Sequence, residues 1–161
     1  MTAPDQLPLA IGKIITNLQS LEFVLRLFLY ESVGPQTPSL RLDQLSVGNT
    51  VPVNPLTSYD SLGDLVLKVN QRLQALGLPD HIDASLVDLR DSIAHGRLAA
   101  LQPTGPFKLL KFSRPKAGTV QVTAAVDLTP AWAAQQVKRT FEELNKVVRL
   151  ARSLGLACFP P

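Results

Sequence analysis

Apolar side chains recur at three- and four-residue steps along four stretches of the chain and at two-residue steps along one. From about Pro8 to Glu31, Ile11, Ile14, Ile15, Leu18, Leu21, Leu25, Phe28 and Leu29 fall on one side of a 3.6-residue period. That spacing predicts a long amphipathic helix, ended by Val33-Gly34-Pro35. Residues 34–58 carry Pro35, Pro38, Pro52, Pro55 and Gly48-Asn49 with no sustained period; a loop that long in a domain is usually functional or mobile. A second helix is expected from about Asp60 to Leu76, with Leu62, Leu65, Val66, Val69, Leu73 and Leu76 as its stripe and Gly77 as its stop. A third is expected from about Asp83 to Leu98, with Asp80 and Asp83 as candidate N-caps and Leu86, Leu89 and Ile93 facing inward.

After the break at Gln102–Pro106, Phe107–Phe112 and Val120–Leu128 flank Arg114–Gly118. The second run alternates, with Val120, Val122, Ala124, Val126 and Leu128 on one side, which predicts a β-hairpin with one buried face. Thr129-Pro130 opens a last helix that reaches about Leu154, its stripe Val137, Phe141, Leu144, Val148 and Ala151. The expected fold class is mainly α: a bundle of four to five helices with a β-hairpin inserted before the last, formed by residues 1–161 as one domain.

Composition narrows the classes. With 161 residues, 45 % apolar and 18 % charged, the chain can fill a core and is not a disordered segment. One cysteine, Cys158, excludes an internal disulfide framework and a multi-cysteine zinc site. The greasiest run, Leu21–Tyr30, holds Glu22 and Arg26 and is half the roughly twenty residues a membrane span needs. Met1-Thr2-Ala3-Pro4-Asp5 has no basic flank, so no targeting signal is read there, and a soluble cytoplasmic protein without membrane contact is expected.

Two histidines restrict imidazole chemistry to His81 and His95. His81 follows Pro79-Asp80 in a loop and reads as a capping or surface residue. His95 lies in Arg90-Asp91-Ser92-Ile93-Ala94-His95-Gly96, at the end of the third helical pattern. An arginine followed by a polar residue, and a histidine further along the same helix, resembles the R-x4–6-H motif of the HEPN superfamily. These are small, mostly helical bundles, many of them metal-independent endoribonucleases. The resemblance extends to the layout, with a long first helix, the motif late in the third and one closing helix; the hairpin at 107–128 is an insertion relative to the plainest bundle. It implies a homodimer in which two Arg–His pairs converge at the dimer axis, with no metal and no cofactor.

The helical wheel bears on that arrangement. Five residues at about 100° each set Arg90 and His95 roughly 140° apart. Val87, Ala94 and Leu98 lie between them, interrupted by Asp91, a narrow strip suited to packing against a two-fold mate. For metal-free RNA cleavage, His95 is the acid or base near neutrality and Arg90 the planar cation for the phosphate. Asp91, four residues before His95, is placed to orient the imidazole. The bland alternative makes His95 a surface histidine and Arg90 a helix arginine paired to Asp83, Asp88 or Asp91. Glu22 falls in the apolar arc of the first helix and either holds Arg90 or His95 or pairs with Arg26 one turn on.

The net charge of +3 is uninformative as a total. Its distribution is less so. No acid occurs between Ser92 and Val126, while Arg97, Lys108, Lys111, Arg114 and Lys116 all do. These are candidate RNA-binding residues; the alternative is a solvated hairpin whose lysines protect a sheet edge, with Phe107 and Phe112 as core residues. The sequence therefore points to a HEPN-like endoribonuclease or RNA-binding protein. The rival is a non-catalytic HEPN-like interaction or nucleotide-binding module in a defence or toxin–antitoxin setting, with a cognate antitoxin protein as candidate partner.

Overall fold

The longest apolar stripe forms the longest helix. In a computed structural model, which describes residues 3–32, 44–100 and 106–159, helix α1 spans Ala3–Ser32 and buries Ile14, Leu18, Leu21, Leu25, Phe28 and Leu29. It begins earlier than the expected start at Pro8, which lies inside it. The expected stop at Val33-Gly34-Pro35, the first part of the 34–58 loop and most of the Gln102–Pro106 break lie outside the described residues.

Helix α2 (Leu62–Ala75) buries five of the six stripe residues, Leu76 being the C-cap instead. Its start is a capping box: Ser61 accepts from the Asp64 N–H, and Asp64 accepts from the Ser61 N–H at 2.9 Å. Its end is a Schellman motif on Gly77 (φ +70°), with Leu78 N–H donating to the Leu73 carbonyl and Gly77 N–H to that of Gln74, both at 3.0 Å.

Helix α3 is shorter than the periodicity predicts. It runs Ser85–His95, and Arg97–Ala100 form a strand, β1, instead of a last helical turn. Its N-cap is Ala84, with no side-chain cap, so the expectation for Asp80 and Asp83 does not hold. Tertiary contacts hold the preceding loop instead. Asn70 grips Ile82 through both backbone groups (2.6 and 3.0 Å), and Glu143 accepts from the Asp83 N–H at 3.3 Å.

The hairpin strands are β2 (Phe107–Phe112) and β3 (Val122–Leu128), and with β1 they make a three-stranded antiparallel sheet in the order β1-β2-β3. Arg97 pairs with Leu110 and Leu109 with Val126. Burial on β3 alternates as expected only from Ala124 on, with Ala124 and Val126 half-buried and Leu128 buried. Val122, beside a register shift opposite Lys111 and Phe112, and Val120, ahead of the strand, are exposed rather than on the buried face.

Helix α4 (Pro130–Ser153) ends in a second Schellman motif on Gly155. Its buried positions are Ala133, Gln136, Thr140, Val147, Leu150 and Ala151, whereas Phe141 of the expected stripe is 55 % exposed. The inward turn of Gln136 and Thr140 is permitted by hydrogen bonding: Thr140 Oγ1 donates to the Gln136 carbonyl and accepts from Asn17 Nδ2 at 3.0 Å.

The chain is thus mainly helical with one small antiparallel sheet. Two compact units divide it, one made of residues up to Gln19 with Ala84–Glu142, the other of Ser20–Asp83 with the residues from Glu143 on. Among the described residues no helix is long and apolar enough to cross a membrane.

Candidate functional site

Leu86 and Leu89, both buried, fix the rotation of α3. That rotation leaves Arg90 and Asp91 at the surface, 43 % and 40 % exposed, with Arg90 Nη1 3.3 Å from Asp91 Oδ1. Lys111 on β2 brings its Nζ to 4.0 Å from Asp91 Oδ2. Arg90, Asp91 and Lys111 therefore form one cluster. An exposed pair of this kind contributes about 0–1 kcal/mol, so Arg90 can exchange Asp91 for a phosphate at little cost. His95 is the last residue of α3 and is exposed. Its imidazole has no hydrogen-bond or ion-pair partner among the described residues, and the Asp91 carboxylate, expected to orient it, is engaged by Arg90 and Lys111.

Gly96, which follows the histidine, has a packing role. Its backbone is extended (φ −73°, ψ 164°), a conformation open to any residue. Space is what it lacks: a Cβ there would lie 2.6 Å from Leu109 Cδ1 and closer still to the Ser92 carbonyl oxygen. Gly96→Ala is expected to lower stability by about 2 kcal/mol through overpacking, or roughly 4–8 °C in Tm for a chain of this size. An unchanged melting curve would refute that close approach.

The five candidate RNA-binding cations divide in two. Lys108 pairs with Asp127 across the β2–β3 register at 3.3 Å, and Lys111 reaches Asp91. Arg97, Arg114 and Lys116 are exposed and have no acidic partner among the described residues. Arg97 sits over the Phe112 ring, 5.2 Å from its centroid. That contact escapes the helical reading of Arg97; the signal that finds it is Gly96 read as a helix stop. Phe107 is 47 % exposed, so it is not the core residue the alternative reading makes it.

Glu22 takes the second of its two expected arrangements. Its Oε1 is 3.0 Å from Arg26 Nη2, and Arg26, only 12 % exposed, turns inward rather than to water. It donates to the carbonyls of Pro55, Ser58 and Asp60 at 3.2, 2.8 and 2.6 Å. Two grooves of about 530 and 540 Å³ are lined by other residues and include none of Glu22, Arg90, Asp91 and His95. Among the described residues no three His, Cys, Asp or Glu side chains gather to hold a metal ion.

Cys158 is exposed, and its thiol donates to Glu31 Oε1 at 3.0 Å while the Ala157 N–H donates to Oε2 at 3.0 Å. The hydrogen bond to Glu31, then burial and the carboxylate's charge, push the thiol up to about 11. At pH 8 its alkylation is expected to be at least about tenfold slower than that of free cysteine, and Glu31→Gln to restore most of the rate. Equal rates in the wild type and free cysteine would count against the Glu31 contact. Because the folded value is raised, the stability it contributes is present below about pH 9 and is lost as pH rises through 11.

Comparison with protein-family models, with curated proteins and with solved structures finds no match to this chain.

Proposed function

We propose that the protein is a HEPN-like, metal-independent endoribonuclease that acts as a homodimer, with Arg90 and His95 of each copy at a composite centre. The observation that carries this reading is the accessibility of both side chains on one 11-residue helix. Arg90 is held by nothing stronger than an exposed carboxylate, and His95 by no polar partner among the described residues. A guanidinium fork and two imidazoles suffice for cleavage by the 2′-hydroxyl: one imidazole removes its proton, and the oxygen attacks phosphorus and closes a cyclic phosphate as the bond to the 5′-oxygen breaks. The protonated imidazole of the second copy gives the leaving oxygen its proton, and the guanidinium meets the growing charge.

One chain supplies one Arg–His pair, so the second comes from a second copy. The strip expected at the seam is accessible in part. Ala94 is exposed and Val87 half-buried on α3, but Leu98 belongs to β1, 60 % exposed, and does not continue that helix face as expected.

The test is incubation of the full chain with RNA, and with DNA of the same sequence, in excess EDTA. RNA cleavage with intact DNA supports the reading. No cleavage at any protein concentration that forms dimers overturns it in favour of the interaction module.

A further inference from the structure

The outward face of the sheet carries an arrangement that the Arg90–His95 pair does not use. Alternation along β2 puts Leu109 and Lys111 on the side toward α3, where Leu109 is buried and Lys111 meets Asp91. Lys108, Leu110 and Phe112 are on the other side. Arg97, opposite Leu110 in the register, joins them and reaches diagonally to Phe112, 5.2 Å from guanidinium carbon to ring centroid. That is within cation–π range. The Arg97 side chain makes no hydrogen bond or ion pair among the described residues, so its five N–H donors are unused while the ring restrains its position. The one acid in the three strands, Asp127, is engaged by Lys108.

Past Phe112 the ribbon continues as an exposed arm. Ser113 N–H donates to the Gln121 carbonyl at 2.8 Å, and Lys116 and Thr119 exchange backbone hydrogen bonds at 2.8 and 3.0 Å around Ala117-Gly118. Arg114 and Lys116 project from this arm without carboxylate partners among the described residues. Arg97, Arg114 and Lys116 thus follow one another along the ribbon, with Lys116 at most about 13 Å from Phe112 even at full strand extension, in a stretch of sequence that holds no acid.

We infer that this ribbon is a binding track for single-stranded RNA, with Arg97 on Phe112 as a base-stacking platform and Arg114 and Lys116 as phosphate contacts. The platform explains why the strand must be single. A base can stack on a guanidinium only when it is free of its own stack, whereas the two tip cations read the backbone alone. Arg97 lies two residues past His95, so a strand bound on the track is delivered to the C-terminal end of α3. The inference rests on the ribonuclease reading for that delivery, but its chemistry is binding and is measured separately.

The experiment is fluorescence anisotropy of a labelled 12-nucleotide single-stranded RNA with the full chain, titrated at several salt concentrations. Arg97→Lys keeps the charge and loses the plane. It is expected to weaken binding about tenfold without changing the slope of log K against log salt. Phe112→Leu acts in the same direction. The double substitution Arg114→Ala with Lys116→Ala is expected to reduce that slope by about 1.4, two phosphate contacts on a single strand. An oligomer lacking bases is expected to bind as weakly to the wild type as to Arg97→Lys. Equal affinity of wild type and Arg97→Lys, equal affinity of base-bearing and abasic oligomers, or preference for duplex RNA would each overturn the track. RNA bound with these dependences but never cut removes the nuclease reading and leaves the track standing. Cleavage with unaltered binding by Arg97→Lys does the reverse.

Discussion

Arg26→Ala is expected to lower stability by about 3–5 kcal/mol, the range for removing one partner of a buried charged network. With about 2–4 °C per kcal/mol for a chain of this length, Tm falls by 6 °C or more. The guanidinium Nη1 donates to Pro55 O, Ser58 O and Ser58 Oγ, and Nη2 to Glu22 Oε1 and Asp60 O. Without it, three carbonyls and a carboxylate lose their donor together, and the segment leading into the Ser61 capping box loses its tie to α1. Arg26→Lys is expected to recover only part of the loss, because one ammonium cannot span both sets of acceptors. Glu22→Gln is expected to cost under about 1 kcal/mol, since an amide oxygen still accepts and Glu22 is 30 % exposed. Thermal melts of the three variants, with limited proteolysis at residues 54–60, check this. An Arg26→Ala melt within about 2 °C of wild type would show that the clamp is not what holds the loop.

The helices that follow the simplest rule were legible. On α1 and α2 the buried residues are apolar and the periodicity finds them, as Leu18, Leu21, Leu25 and Phe28 or Leu65, Val66 and Val69 show, although it also draws in Ile15 and Leu76, which are exposed. The stripe of α4 was misread because Gln136 and Thr140 are polar and still face inward, at 8 % and 0 % exposure; hydrophobicity does not reveal a hydroxyl whose partners come from the helix itself and from Asn17. Strand β1 was missed because Arg97 and Leu98 continue the three- and four-residue spacing beyond His95. The stop is Gly96, which the sequence does carry; the reason for a glycine there, a Cβ that would lie 2.6 Å from Leu109 Cδ1, exists only once the sheet has formed.

The candidate site divides in the same way. The spacing of Arg90, Asp91 and His95 is local and could be read directly. The engagement of Asp91 by Lys111 depends on the placement of α3 beside β2, and the clamp of Arg26 on carbonyls 29 to 34 residues away depends on the path of an aperiodic loop. Neither leaves a trace in composition or periodicity.

His95→Ala is expected to reduce RNA cleavage by about 10²–10⁴-fold, the usual contribution of a positioned acid–base group, while its melt stays within about 0.5 kcal/mol of wild type because the side chain is exposed. Loss of rate with retained stability is what separates chemistry from unfolding here. Arg90→Ala is expected to fall comparably, and Arg90→Lys to fall less, since a point charge still attracts phosphate but does not match its geometry. Attack by the 2′-hydroxyl expels the 5′-oxygen and leaves a cyclic phosphate on the upstream fragment, so the product ends identify the route independently of the variants. A strand with one 2′-deoxy sugar at the cleavage position is expected to resist cutting there and nowhere else. Under the proposed function, activity per chain is expected to fall on dilution as a two-copy centre dissociates, a concentration dependence that a monomeric nuclease lacks. Cleavage by all three variants at the wild-type rate would remove Arg90 and His95 from the chemistry, however well their spacing suits it.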